Sequence, residues 1–107
     1  MRGYRFMRII VMFDLPTETV SDRREYRKFR KNLLDFGFIM LQESIYHKLL
    51  LNASLVNSME LKLEAIKPQN GLFHILTITE KQYSKMTTLV GEDESDILST
   101  DERLIIL

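Results

Sequence analysis

The chain has 107 residues, 45% of them apolar and 28% charged, with 15 basic and 15 acidic side chains and no cysteine. This is the composition of one globular domain with a modest core, and it excludes disorder, a disulfide framework and a thiolate metal site. The apolar run nearest the N-terminus, Ile9 to Phe13, is too short for a signal-peptide core or a membrane span, so a soluble, cytoplasmic protein is expected.

The zero net charge is unevenly spread. Residues 1–31 hold nine Arg and Lys against four acids, whereas residues 92–102 hold six acids and no base. Asymmetry of this kind points to a basic face with an acidic segment elsewhere on the molecule.

In chain order, Ile9 to Phe13 is a β-branched and aromatic run, the pattern of a short strand buried on both faces. Asp14 stands where the run stops, and Pro16 prevents further pairing. The stiffest part of the fold thus delivers a carboxylate to the mouth of a loop, Leu15 to Val20. A helix is predicted from Ser21 or Asp22, with Glu25 three residues after Asp22 completing a capping box. Tyr26, Phe29, Leu33 and Phe36 recur at i, i+3, i+7 and i+10 as its buried face, and Gly37 ends it in the left-handed region.

Phe38 to Leu41 and Ser44 to Leu51 read as the strands of a hairpin around a Gln42-Glu43 turn. Asn52 or Ser54 caps a second helix whose apolar face is Leu55, Val56, Met59, Leu63 and Ile66, and Lys67-Pro68 terminates it. Beyond the turn Pro68 to Gly71, the stretch Leu72 to Thr79 reads as the fourth strand. Leu72, His74, Leu76 and Ile78 share one face; Phe73, Ile75 and Thr77 share the other. The order β-α-β-β-α-β predicts an α+β, ferredoxin-like sandwich over residues 1–91.

Thr79 to Gln82 reads as the capping signature of a single helical turn, and Met86 to Val90 as a fifth short strand. Residues 92–107 read as an acidic loop followed by a C-terminal strand, Arg103 to Leu107, that has no place in a finished four-stranded sheet. Added to the edge of a second copy's sheet, that strand predicts a homodimer with exchanged C-terminal strands.

The chemistry-bearing candidates are few. Arg23, Arg24, Arg27, Lys28, Arg30 and Lys31 lie within nine positions of the first helix, a fan suited to several phosphates along a duplex, with salt-dependent and sequence-blind binding. A plain solvated face is the competing explanation, but Glu25 leaves most of that charge uncompensated. Asp14 alone reads as a turn-initiating residue. A two-fold dimer that pairs two copies of Asp14 makes it a candidate Mg²⁺ ligand, since Mg²⁺ is held by one or two carboxylates plus waters and phosphate. His47 and His74 lack a partner at ligand spacing and read as packing or surface residues. There is no glycine-rich phosphate loop, nucleophile elbow or catalytic triad context. The third strand also lacks the aromatic motif with which RNA-recognition domains of this topology stack bases.

Four stretches in order carry a resemblance: Phe13-Asp14-Leu15-Pro16 with Thr17 following, the helix motif Arg24 to Lys31, the hairpin Gln42 to Tyr46, and Thr79 to Tyr83 followed by Gly91. They resemble the small, dimeric CRISPR-associated adaptation protein, the second of the two core proteins that acquire new spacers, over essentially the whole chain. The acidic insert before the last strand looks most like members that accompany single-protein effector nucleases.

The resemblance implies a ferredoxin-like homodimer that lays double-stranded DNA across its basic surface and bridges CRISPR-associated integrase subunits. It also implies Mg²⁺-dependent endonuclease activity, on single-stranded RNA or double-stranded DNA, with one Mg²⁺ per dimer shared between the two Asp14 residues. Many relatives carry two acids here, separated by one residue; this chain has Met12 at the earlier place, which leaves one carboxylate per subunit. A toxin-like, metal-dependent endoribonuclease of the same fold, acting without an integrase, is the alternative.

Overall fold

The structure, a computed structural model, describes residues 5–92. Strand β1 (Met7–Asp14) leads into helix α1 (Val20–Asp35), the hairpin β2 (Ile39–Gln42) and β3 (Ile45–Leu50), helix α2 (Ser54–Ala65), strand β4 (Leu72–Thr79) and the single turn α3 (Glu80–Tyr83). The four strands form one antiparallel sheet in the order β2-β3-β1-β4, the ferredoxin-like arrangement. β1 is interior to the sheet. It pairs with β3 from Met7↔Leu50 to Met12↔Ile45, and with β4 from Met7↔Thr79 to Asp14↔Leu72.

One face of the sheet makes the core. Ile9, Val11 and Phe13 of β1 and Tyr46 and Leu50 of β3 meet Phe29 and Leu33 of α1 and Met59 and Leu63 of α2. The α1 residues are those whose spacing predicts burial; in α2, Leu55 turns out exposed, while Val56 and Ile66 flank the core. The other face carries Arg8, Ile10, Met12 and Asp14 beside Leu72, His74, Leu76 and Ile78, because residues paired in register point the same way. Its coverage is incomplete: Ile10 is buried, but Leu72 is 58% and Leu76 49% exposed. The predicted burial of β1 on both faces therefore holds for Ile10 and fails toward Asp14.

The covered end of that open face is held by α3. The backbone N–H of Glu80 donates to the Phe6 carbonyl at 2.9 Å. Arg8 Nε donates to Glu80 Oε1 at 2.8 Å, its Nη2 holds the second carboxylate oxygen, and its guanidinium carbon lies 4.3 Å from the Tyr83 ring centroid. Tyr83 stacks on the buried His47, whose Nδ1 lies 3.1 Å from Arg8 Nη1. A fork of charge-assisted hydrogen bonds fixes the turn more firmly than its four residues could alone.

Local chemistry moved the start of α1 and the hairpin turn, and one predicted strand does not form. α1 starts at Val20, not Ser21 or Asp22, because Thr19 is extended and its hydroxyl accepts the Asp22 N–H at 2.9 Å while the Asp22 carboxylate accepts the Thr19 N–H at 3.1 Å. The box is therefore Thr19/Asp22 rather than Asp22/Glu25. The hairpin turns at Glu43-Ser44 rather than Gln42-Glu43, with Ser44 at φ 65°. Met86 to Val90 forms no strand: Leu89 and Val90 are almost fully exposed and pair with nothing among the described residues. The predicted strand Arg103 to Leu107, and all of the acidic stretch after Glu92, lie outside the described residues.

Thr77 sits opposite Ile9 on the core face, and its hydroxyl is buried without a hydrogen-bond partner among the described residues. An orphaned hydroxyl costs about 1–3 kcal/mol. Thr77→Val, which keeps the branched shape, is expected to raise stability by about 1 kcal/mol in urea unfolding; a loss of stability would mean that the hydroxyl is paired in solution.

Candidate metal and nucleic-acid site

Asp14 is the last residue of β1, and both neighbouring strands determine where it stops. On the β3 side, Phe13 N–H donates to the Ser44 carbonyl at 3.0 Å. Ser44 takes the left-handed conformation there, which closes the hairpin and presents that carbonyl to β1. On the β4 side, Gly71 at φ +93° lies so close that a Cβ would sit 2.3 Å from the Asp14 carbonyl oxygen. Leu15 then turns into the core and Pro16 ends the pairing. The backbone of Asp14 is clamped from both sides while its side chain is exposed.

That side chain lines an open cleft at the uncovered end of the sheet. Glu43, Ser44 and His74 share its wall, with Met12 and Ile45 among the apolar contributors. His74 stands directly opposite Met12, and Asp14 lies two residues farther along β1 on the same face. Sequence reasoning missed Glu43 and Ser44, which it used up as turn and strand residues, and set His74 aside as a packing or surface residue. The signal that unites them is register across three strands, which no local spacing carries.

No hydrogen bond or ion pair engages the Asp14 carboxylate among the described residues, so both oxygens are available. No cluster of three or more His, Asp or Glu able to hold a metal occurs among those residues. The described residues of one chain therefore build no closed cage. A hard cation that keeps several waters asks for only one or two carboxylates, and the unengaged Asp14 side chain has the chemistry of one of them.

The six bases of α1 divide in two. Arg23 Nη1 donates to the carbonyls of Thr17 at 3.1 Å and Glu18 at 3.0 Å, stapling the loop that follows Asp14. Arg30 Nε donates to the Tyr46 hydroxyl at 2.8 Å, and Lys31 Nζ bonds Asp35 at 2.8 Å. Arg24, Arg27 and Lys28 are exposed and have no hydrogen-bond or ion-pair partner among the described residues. These three are the α1 bases without an internal partner among the described residues; the other three are engaged within the fold.

Comparison with known proteins gives a consistent picture. The sequence profile of the family described as "CRISPR associated protein Cas2" matches residues 7–86. The chain is 50% identical over 101 residues to the "CRISPR-associated endoribonuclease Cas2" of Treponema denticola, covering 94% of this chain and 100% of that one. It is likewise 50% identical over 101 residues to the protein of that name from Streptococcus mutans serotype c, covering 94% of this chain and 93% of the other. Among solved structures, one described as "Crystal structure of cas2" superposes with a TM-score of 0.57 at 20% identity, over 84% of this chain and 92% of that one. At that identity it bears on the fold. No helix among the described residues is long and apolar enough to cross a membrane.

Proposed function

The chain belongs to the CRISPR-associated Cas2 family, and from that premise we propose a nucleic-acid-binding homodimer that serves spacer acquisition and hydrolyses phosphodiesters at Asp14. It would carry double-stranded DNA on α1 and bridge integrase subunits, with one Mg²⁺ shared between the two Asp14 residues. The observation that carries this reading is a clamped backbone presenting an exposed, unengaged carboxylate at the end of β1, and the three unengaged bases of α1 supply the surface for nucleic acid. Curated relatives are named endoribonucleases, which favours RNA as the strand that is cut. Support for the dimer is that β4 is an edge strand with exposed Leu72 and Leu76, able to accept a strand from a second copy.

Each residue then has a stated task. Arg24, Arg27 and Lys28 take backbone phosphates, which fixes register without reading sequence. Arg23 holds the carbonyls of Thr17 and Glu18, fixing the loop that follows Asp14 against the start of α1. Ser44 and Gly71 fix the backbone of Asp14, so that its carboxylate needs no reorganisation to act as a ligand. Asp14 would hold Mg²⁺, which when bound would supply charge stabilisation at the phosphate and an activated water.

The test is cleavage and binding of labelled duplex DNA and single-stranded RNA in Mg²⁺. Asp14→Ala is expected to bind as wild type does and to cut at least about 100-fold more slowly, as expected when electrostatic stabilisation of the transition state is lost. Arg24→Ala/Arg27→Ala/Lys28→Ala is expected to weaken binding of any sequence and to reduce the salt slope by about 3, close to one per phosphate contact. If Asp14→Ala cuts at the wild-type rate, the metal site is elsewhere. An unchanged salt slope would displace the DNA surface from α1. If wild type binds without cutting, an integration scaffold remains and Asp14 is a turn residue.

A further inference from the structure

We infer that His74 is the general acid of this site, the group that protonates the leaving oxygen when a phosphodiester is cut. The inference rests on the phosphodiesterase reading of Asp14 and adds to it a residue and a proton path. Its first support is placement. His74 faces Met12 across the β1–β4 ladder, and Asp14 is two residues along on the same face, which makes His74 and Asp14 diagonal neighbours. Such neighbours lie about 7–8 Å apart between Cα atoms, with side chains able to approach one another's targets. A phosphate group fits between a carboxylate and an imidazole set at that spacing.

The second support is contrast. Leu72, Leu76 and Ile78, the other β4 residues on this face, are apolar; the one imidazole of the stripe is at the cleft, beside Asp14. The chain's other histidine, His47, is buried at the covered end, stacked on Tyr83 and close to Arg8. His74 is exposed, with no partner among the described residues. It shares the access of Asp14 because both line the same cleft.

The third support is chemical elimination. A hard cation such as Mg²⁺ takes oxygen ligands, so the imidazole is not needed to hold it. Breaking a phosphodiester leaves an alkoxide, a poor leaving group unless a proton reaches it, and an imidazolium is suited to deliver one near neutral pH. In the balanced step, a water oxygen bonds to phosphorus and gives up a proton to solvent. The P–O bond to the leaving group breaks, its electron pair stays on that oxygen, and the His74 ring N–H protonates it. The neutral ring recovers its proton from solvent.

The experiment uses the full chain, with His74→Ala and His74→Gln beside wild type and Asp14→Ala. Substrates are an oligonucleotide with the ordinary bond at the site wild type cuts, and versions with sulfur replacing the 5′- or the 3′-bridging oxygen there; the sugar at that site is deoxyribose. A thiolate departs without a proton, so it bypasses the acid. Both His74 variants are expected to cut the oxygen substrate about 100-fold more slowly and one sulfur substrate within a fewfold of wild type, with nucleic-acid binding and thermal unfolding unchanged. Asp14→Ala should be slow on all of them. If the His74 variants cut the oxygen substrate as wild type does, or lose equal ground on every substrate, the assignment falls while Asp14 stands. If wild type cuts none of these substrates and no all-ribose single-stranded RNA either, the phosphodiesterase reading falls first and the acid with it.

Discussion

Phe13→Ala is expected to destabilise the protein by about 3–5 kcal/mol, the range for emptying a buried aromatic site. Phe13 is buried, and three rings close around it: Tyr26 at 6.0 Å and Phe29 at 5.0 Å edge-on, and Tyr46 stacked at 5.7 Å between centroids. Phe29 continues the cluster to Phe73 at 4.9 Å. Each well-oriented aromatic pair adds about 0.5–1.5 kcal/mol beyond area burial, so removing Phe13 forfeits three pairings as well as its volume. Against a total stability of about 5–15 kcal/mol, that is a large fraction. Guanidinium unfolding at fixed protein concentration measures it, with Phe13→Leu costing less because most of the volume remains. A loss under about 1 kcal/mol for the alanine variant would mean that the cluster is loosely packed.

Gly71→Ala is expected to cost about 2–3 kcal/mol and to abolish cleavage without removing nucleic-acid binding. Two effects add. A φ of +93° strains any residue with a Cβ, by about 1–3 kcal/mol. The new methyl would also stand 2.3 Å from the Asp14 carbonyl oxygen and 3.1 Å from the Leu15 Cα, both backbone atoms of the segment that bears the carboxylate. Something must shift, and the shift falls on Asp14. Gly37→Ala is the internal control. Gly37 has a similar φ of +90°, but the nearest obstacle to its Cβ is the flexible tip of Lys48. The difference between the two variants therefore isolates the collision from the dihedral cost. Equal losses for both, with cleavage intact in Gly71→Ala, would show that Gly71 does not position Asp14.

Much of this architecture is legible in the sequence, for reasons that differ by element. Strand β4 is read at its observed bounds because its run of β-type residues lies between Gly71 and a Thr79/Gln82 capping pair that the structure contains. α1 is legible in its face and its end but not in its first residue, since Thr19, Ser21 and Asp22 are all competent caps and only backbone conformation decides among them. Met86 to Val90 has strand composition, yet a strand needs a neighbour, and the described fold gives it none.

The site divides similarly. Asp14 is visible as the polar stop of an apolar run. Glu43 and His74 are not, because they reach it through pairing between segments far apart in sequence. The six bases of α1 look equivalent on paper. Folding commits Arg23, Arg30 and Lys31 to internal partners, and composition cannot foresee that the target of Arg30 is a tyrosine hydroxyl on β3.

The position of β1 also constrains the order in which a nascent chain can complete itself. Its β3 edge is satisfied once Leu50 has emerged, but its other edge waits for Leu72 to Thr79. Until then an apolar strand offers an unpaired row of backbone groups, the state most exposed to pairing with another chain. Because closing the sheet joins segments so distant, loop-closure entropy places that step late and makes it slow. Chaperone dependence during synthesis should accordingly concentrate in the interval before β4 leaves the ribosome, and a chain arrested there should aggregate more readily than one arrested after Tyr83.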